Sequence, residues 1–247
     1  MRFQGKVVLV TGSSRSIGRA TALAFGKEGA SVVINYLTNK DEANTVKAEI
    51  EQNGGKAITI GADVSKEKQV ETMINETIAQ FNRIDILVNN AGFYKDSTVW
   101  KMSDEIWEEV LKVNLYGTFY CTKHAIKHMR DQSWGRVINI SSVVGQTGVF
   151  GTANYSAAKA GLFGFTKAVS KEVATKGITV NVLTLGYFDT GMLKRLSPEV
   201  QAIILKQIPM GRWGKLNEIT QPILFLASED AAYITGQVIH INGGYYM

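Results

Sequence analysis

The chain has 247 residues, 45% hydrophobic and 20% charged, with a formal net charge of +5 and one cysteine. This is the balance of a soluble globular protein; Cys121 alone excludes an internal disulfide and any multi-cysteine metal site. No apolar run approaches the roughly 18 residues of a membrane span, no dense basic block or nucleic-acid motif occurs, and Met1–Lys6 leads into a strand-like run without a signal-peptide core, so the expectation is a cytoplasmic protein.

The first apolar run is Lys6–Thr11. It ends in Thr11-Gly12-Ser13-Ser14-Arg15-Ser16-Ile17-Gly18, with a helix predicted from about Ile17. Small residues in such a turn let backbone approach a pyrophosphate, and the helix N-terminus offers free N–H groups and a positive dipole end. Helical periodicity over Ala20–Glu28 is followed by a second strand, Ser31–Tyr36. Helix Asp41–Gln52, strand Lys56–Gly61, helix Glu67–Phe81 and strand Ile84–Val88 come next. After an apolar helix at Tyr116–Met129, strands are predicted at Arg136–Ser141, Ile178–Leu183 and Gln237–Ile241. The runs are nearly all apolar rather than alternating, as in strands buried on both sheet faces. Seven strands alternating with helices predict an α/β fold: a doubly wound, Rossmann-type parallel sheet with helices on both faces. Nothing in composition divides it, so residues 1–247 are read as one domain. Asp189–Gly214 breaks the alternation and is long for a connection, which marks it as a substrate loop or lid.

Chemistry concentrates in Asn154-Tyr155-Ser156-Ala157-Ala158-Lys159. Tyr155 and Lys159 at i and i+4 share a helix face, about 5–6 Å apart at Cβ. An ammonium beside a phenol favours the phenolate and lowers the tyrosine from its usual value near ~10, so the pair can exchange a proton with a substrate oxygen near neutral pH. His124 and His128, also four apart, lack a third ligand and are read as helix-surface or interface residues, with no metal site expected. His240 is read as structural, and Trp100, Trp107, Trp134 and Trp213 as packing. Cys121 is read as core.

The Thr11–Gly18 turn, Asn89-Asn90-Ala91-Gly92, Ser142 and Tyr155-x-x-x-Lys159, in this order across the whole chain, resemble the short-chain dehydrogenase/reductase family. The resemblance implies an oxidoreductase whose active centre is Asn114, Ser142, Tyr155 and Lys159. Ser142 would bind the substrate oxygen and Tyr155 would give the proton. Lys159 would hold the ribose and keep the tyrosine acidic, and Asn114 would shape a helix bulge and a water-linked relay to the lysine. Of the adjacent serines, the family's separation selects Ser142 and leaves Ser141 as scaffold. A nicotinamide cofactor would lie against Gly12, Ser14, Arg15, Ser16, Ile17, Gly18, Asn35, Asp63, Val64, Asn90, Ala91, Gly92, Tyr155, Lys159, Gly186, Phe188 and Thr190. The second strand ends in Asn35-Tyr36, without the acid that accepts a ribose 2′-OH. Arg15 is suited to a 2′-phosphate, so the cofactor is read as NADP(H). Asp63 is alternatively a helix N-cap. Ser16 stands where the family usually has glycine, and either tolerates the turn or relaxes it. Leu185 replaces a usual proline, which removes a φ constraint and suggests a looser loop.

Within the family the chain looks most like 3-oxoacyl-thioester reductases, and more like the acetoacetyl-CoA type than the acyl-carrier-protein type. Phe150 and Tyr187 match residues lining a short acyl pocket beside Ser142. Lys176 matches a basic position used against acidic carriers, whereas Ser133 replaces the second such position. The expected partner is a small acyl thioester, with a homotetramer as the assembly. The alternatives are another carbonyl or alcohol, such as a sugar or cyclic ketone, and a cofactor-binding regulator without turnover.

Overall fold

A computed structural model describes residues 1–191, 193 and 196–247. Seven strands form one sheet: β1 Val7–Val10, β2 Ser31–Tyr36, β3 Lys56–Gly61, β4 Ile86–Asn89, β5 Gly135–Ser142, β6 Ile178–Leu185 and β7 Val238–Ile241. Every neighbouring pair is parallel, in the order β3-β2-β1-β4-β5-β6-β7. The order reverses between β1 and β4, so the crevice at their carboxyl ends is where a ligand of an open α/β sheet binds. The helices are α1 Ser16–Lys27, α2 Lys40–Gln52, α3 Glu67–Phe81, α4 Asp104–Leu111, α5 Gly117–Gln132, α6 Val144–Thr147, α7 Ala153–Val173, α8 Pro198–Lys206 and α9 Asn217–Ala227.

Strand residues alternate between two cores. Val8, Val10, Val32 and Ile34 pack with Phe25, Val46, Ile219 and Ile223 under α1, α2 and α9. Val7, Leu9 and Val33 face the other way, against Met73, Ile74, Cys121, Ala125 and Val169 of α3, α5 and α7. The expected doubly wound fold is therefore present, with boundaries shifted by a few residues. Cys121 is 1% exposed, and burial pushes its thiol up to about 12, as fits a core residue. At the amino edge of the sheet the Trp134 ring lies between Lys6 and Arg136, 3.4 and 4.4 Å from its centroid, and Arg136 pairs with Glu229 at 3.2 Å.

Residues 189–214 are not an open loop. They contain α8, whose Ser197 cap accepts from Val200 N and which begins with Pro198. The excursion is closed at its neck, where Gly214 N donates to Tyr187 O at 3.0 Å and Asp189 N donates to Gly214 O at 2.8 Å. Leu185 lies in the sheet and not in the loop that follows it. It is the last residue of β6, 5% exposed, in register with Ser142 on one side and Ile241 on the other. A non-proline backbone continues the ladder to the loop glycine.

Candidate active site

The carboxyl ends of β1, β2 and β4 build a cradle from backbone. Gly12 has φ +60, and a Cβ there would meet Ala91 Cα at 3.0 Å. The turn is stitched to the segment after β4: Thr11 Oγ1 accepts from Asn90 N and Ala91 N at 3.0 Å, and Asn90 Nδ2 donates to Thr11 O at 2.9 Å and Gly12 O at 3.0 Å. Ser16 adopts φ +52, so the turn does not relax to suit serine; the serine takes the left-handed conformation. Ser14, Ile17 and Ala91 are half-buried, Gly18 is buried, and Gly92 and Arg15 are exposed. Among the described residues Arg15 makes no salt bridge, so its guanidinium stands free beside the N-terminus of α1.

Asn35 corrects its assignment as a cofactor-facing side chain. It is 2% exposed; its Oδ1 accepts from Gly12 N at 3.0 Å, and its Nδ2 donates to Ala62 O at 3.1 Å. It therefore fixes the turn from below, and the end of β2 carries no acid that could reach a ribose 2′-OH. Asp63 is not a helix N-cap. Its Oδ1 accepts from Ser65 N at 2.9 Å, while α3 begins after Lys66. Val64 is buried and packs against Gly117 at the start of α5. The cradle fits a dinucleotide: close backbone, a helix N-terminus and a free guanidinium meet at the switch point.

Asn114, Ser142, Tyr155 and Lys159 gather at the carboxyl ends of β4 and β5. Between α4 and α5 the chain makes a π turn over Lys112–Tyr116, which carries Asn114 inward to zero exposure. Asn114 Nδ2 donates to Phe93 O at 2.7 Å and to Val110 O at 2.9 Å; its Oδ1 is buried with no partner among the described residues. A buried acceptor without a partner is unfavourable by roughly 1–3 kcal/mol, so this atom fits the water-linked role the resemblance implies. A Cβ on Gly92 would fall 2.5 Å from that Oδ1 and 3.3 Å from Lys159 Nζ, so only glycine leaves room where the two meet.

Ser141 and Ser142 have different surroundings. Ser141 is buried and donates to Lys159 O at 2.8 Å, holding α7 to β5. Ser142 is half-buried, and its hydroxyl accepts only from Val144 N, at 3.2 Å, among the described residues. Lys159 is 4% exposed, and its ammonium donates to Ile140 O at 3.0 Å. The expected acidification of Tyr155 is overturned. Burial pushes its phenol up to about 12, only partly offset by the Ser142 hydroxyl. Burial also pulls Lys159 down to about 8. The ammonium lies 5.6 Å from the tyrosine ring centroid and is directed at a carbonyl, so desolvation outweighs the attraction between the pair.

Other candidates separate. Tyr187 is half-buried and packs edge-on against Trp213 and Tyr245, with centroids 6.3 and 5.3 Å away. Phe150 is 83% exposed and does not join it as a second pocket wall. Its position in the turn before α7 points it to solvent. Gly186 packs against Asn242, Phe188 is buried beside Gly214, and Thr190 is half-buried just beyond. His124 is not a surface residue: it is 8% exposed and its Nε2 lies 3.3 Å from Glu67 of α3. His240 bonds Thr184 Oγ1 at 2.6 Å, a structural contact. The four tryptophans are dispersed, and Trp100 is 72% exposed rather than packed. Among the described residues no cluster of metal-site size occurs, and no helix is long and apolar enough to cross a membrane.

Two residues with roles here went unmarked in the sequence. Asn154 is fully buried; its Oδ1 accepts from Tyr155 N at 2.8 Å and its Nδ2 donates to Lys95 O at 3.2 Å. Tyr94 sets its ring edge-on to Tyr155, centroids 6.2 Å apart. The only signal was position: one precedes the tyrosine of the dyad, the other follows Asn89–Gly92 by two residues.

Comparison with known proteins agrees with this geometry. Residues 12–246 match a family model described as enoyl-(acyl carrier protein) reductase. A 3-oxoacyl-[acyl-carrier-protein] reductase from Synechocystis is 48% identical over 243 residues, covering 98% of this chain and 97% of the relative. Proteins of that name from Staphylococcus epidermidis and Escherichia coli are each 44% identical, covering 98% and 100% of this chain and 99% and 100% of their own lengths. A crystal structure from Sinorhizobium meliloti 1021, described as a short-chain alcohol dehydrogenase, superposes with a TM-score of 0.93 at 33% identity, covering 98% of this chain and 96% of that one.

Proposed function

The chain belongs to the short-chain dehydrogenase/reductase family, and from that premise we propose that it reduces a 3-oxoacyl thioester to the 3-hydroxyacyl thioester with NADPH, Tyr155 acting as proton donor. It is an oxidoreductase acting on a carbonyl or hydroxyl group. The observation that carries the finer reading is the joint placement of Ser142, Tyr155, Lys159 and Asn114 beside a phosphate cradle, in a chain whose relatives bear the 3-oxoacyl reductase name.

NADPH supplies the hydride; every other element of the reaction falls to this chain. Gly12, the start of α1 and the Asn90–Gly92 backbone would hold the phosphates, with Arg15 pairing the 2′-phosphate. The Ser142 hydroxyl would orient the substrate's 3-oxo oxygen, and the Tyr155 hydroxyl would pass it a proton. A phenol held near 12 keeps its proton at neutral pH, which favours donation and hence carbonyl reduction. Lys159 would bind the ribose hydroxyls and, with its charge, steady the phenolate left behind. The buried Asn114 Oδ1 would anchor a water returning the proton.

The sequence reading leaned toward coenzyme A as the thiol. Two observations shift the proposal to an acyl-carrier-protein thioester. The relatives carry the carrier-protein name, and Phe150 does not supply the second wall of a short pocket. Lys127 and Arg130 of α5 also line a depression with Lys176 and Asp131, so net positive charge gathers there although Ser133 only ends the helix. We place the 189–214 excursion at the mouth of the substrate site. The assembly proposed is a homotetramer, supported by exposed apolar residues such as Phe119 on α5, 43% exposed.

The test is NADPH oxidation with a 3-oxoacyl carrier-protein thioester, beside acetoacetyl-CoA, a 2-enoyl thioester and a panel of ketones and sugars, each repeated with NADH. Turnover of 3-oxoacyl thioesters, fastest on the carrier and with NADPH, is expected. Tyr155→Phe should lose it while still binding NADPH. Activity confined to a panel ketone or sugar would discard the substrate.

A further inference from the structure

Tyr94 is a second phenol at the reaction centre, and its surroundings single it out. Its ring meets the Tyr155 ring at 6.2 Å and 67°, an edge-to-face contact. Its backbone is held on both sides by side-chain amides. Asn114 Nδ2 grips the carbonyl before it, Phe93 O, at 2.7 Å, and Asn154 Nδ2 grips the carbonyl after it, Lys95 O, at 3.2 Å. Further along, Ser97 N donates to Gly151 O at 2.8 Å, and Ser97 bridges Thr152, tying the segment to the turn that starts α7. Both asparagines are fully buried. One lies in the catalytic set and the other binds the amide of Tyr155 itself.

The clamp therefore links three elements to one ring. A tyrosine on α7 has one turn of helix beneath it and the cleft above, so its χ angles are set by whatever packs on its open side. Tyr94 is that neighbour in aromatic contact. We propose that Tyr94 is a positioning residue for the proton donor: fixed between Asn114 and Asn154, its ring holds the Tyr155 ring in the orientation that presents the hydroxyl beside Ser142. This rests on the proton-donor role given to Tyr155 above. An edge-to-face pair of this kind corresponds to about ten-fold in a rate that depends on its geometry.

The experiment compares Tyr94→Phe, Tyr94→Leu and Tyr94→Ala with wild type, using whichever carbonyl substrate the wild type reduces best. Tyr94→Phe keeps the ring and should hold kcat within about two-fold. Tyr94→Ala and Tyr94→Leu should lose about ten-fold in kcat with the NADPH KM unchanged. A wild-type kcat in Tyr94→Ala or Tyr94→Leu overturns the proposal, as does an equal loss in Tyr94→Phe. A second readout needs no substrate. In ring-labelled protein, with Tyr155 assigned by its absence in Tyr155→Phe, the Tyr155 ring should flip faster by NMR in Tyr94→Ala than in wild type. An unchanged flip rate overturns the idea. Failure of the thioester substrate alone would leave both readouts standing and count only against the proposed substrate.

Discussion

The Lys159 ammonium donates to the Ile140 carbonyl at 3.0 Å while lying 5.6 Å from the centroid of the Tyr155 ring. The two side chains share a helix face, yet each titrates as burial dictates. The phenol is pushed up and the ammonium pulled down. Of the two, the lysine is the group whose charge changes closer to neutral pH.

The first prediction concerns pH. Lys159 is charged below about 8 and neutral above it. The pH dependence of kcat/KM reports the free enzyme, so this parameter for carbonyl reduction should fall as pH rises through about 8, with the slope of a single proton. Lys159→Arg should remove that limb, whatever the remaining activity. A flat profile from neutral pH to pH 9 would contradict the assignment.

The second concerns stability. A lysine lowered from its ordinary 10.5 to about 8 binds fewer protons folded than unfolded between those values. Stability from this group therefore rises with pH across that window, and its penalty is fully present below about 8. The shift corresponds to roughly 3 kcal/mol at neutral pH. Lys159→Met should raise the unfolding free energy by about 1–3 kcal/mol while abolishing turnover. Denaturant unfolding at neutral pH and at pH 9.5 measures it, and the mutant's advantage should shrink at the higher pH.

Ser16 gives the third. A non-glycine residue at φ +52 is disfavoured by roughly 1–2 kcal/mol. Glycine removes that strain but gains about 0.5–1 kcal/mol of freedom in the unfolded chain. Ser16→Gly should therefore stabilise by about 0.5–1 kcal/mol and raise Tm by a few degrees, whereas Ser16→Val should lower it. A thermal melt decides, and a lower Tm for the glycine variant would refute the strain.

Cofactor choice is the fourth. Arg15 is exposed beside the cradle, with no acid at the end of β2 or before Asp41 to oppose a phosphate. Charge-assisted hydrogen bonds of this sort are worth about 1.5–3 kcal/mol, or roughly 10- to 100-fold in affinity. Arg15→Glu should raise the NADPH KM by that factor and leave the NADH KM nearly unchanged. Equal effects on both cofactors would show that Arg15 does not read the 2′-phosphate.

Much of this molecule was legible in its residues. The apolar runs marked all seven strands because a sheet covered on both faces needs side chains of one kind on both sides. Tyr155 and Lys159 stood out by their i, i+4 spacing on one helix face, whereas Ser142 was separated from Ser141 only by the resemblance to the family. What escaped was whatever depends on distant segments meeting. Tyr94 and Asn154 acquire their roles only when the segment after β4 lies against α7. His124 looked like surface because α5 alone does not show that Glu67 of α3 lies beside it. Phe150 looked like a pocket wall because the turn that carries it outward cannot be read from spacing. The acidity of Tyr155 was misjudged for a related reason: a helix wheel gives the distance to Lys159 but not the loss of water around both.

The bridge between Phe188 and Gly214 has a consequence for how such a protein diversifies. Because the ends of the excursion are joined to each other, insertions, deletions or replacements between them do not pull on β6. The strand ends below the neck and the stretch beyond it can therefore change independently of each other. A graft of the corresponding segment from a relative with a different substrate, cut at that neck, is the natural unit of exchange.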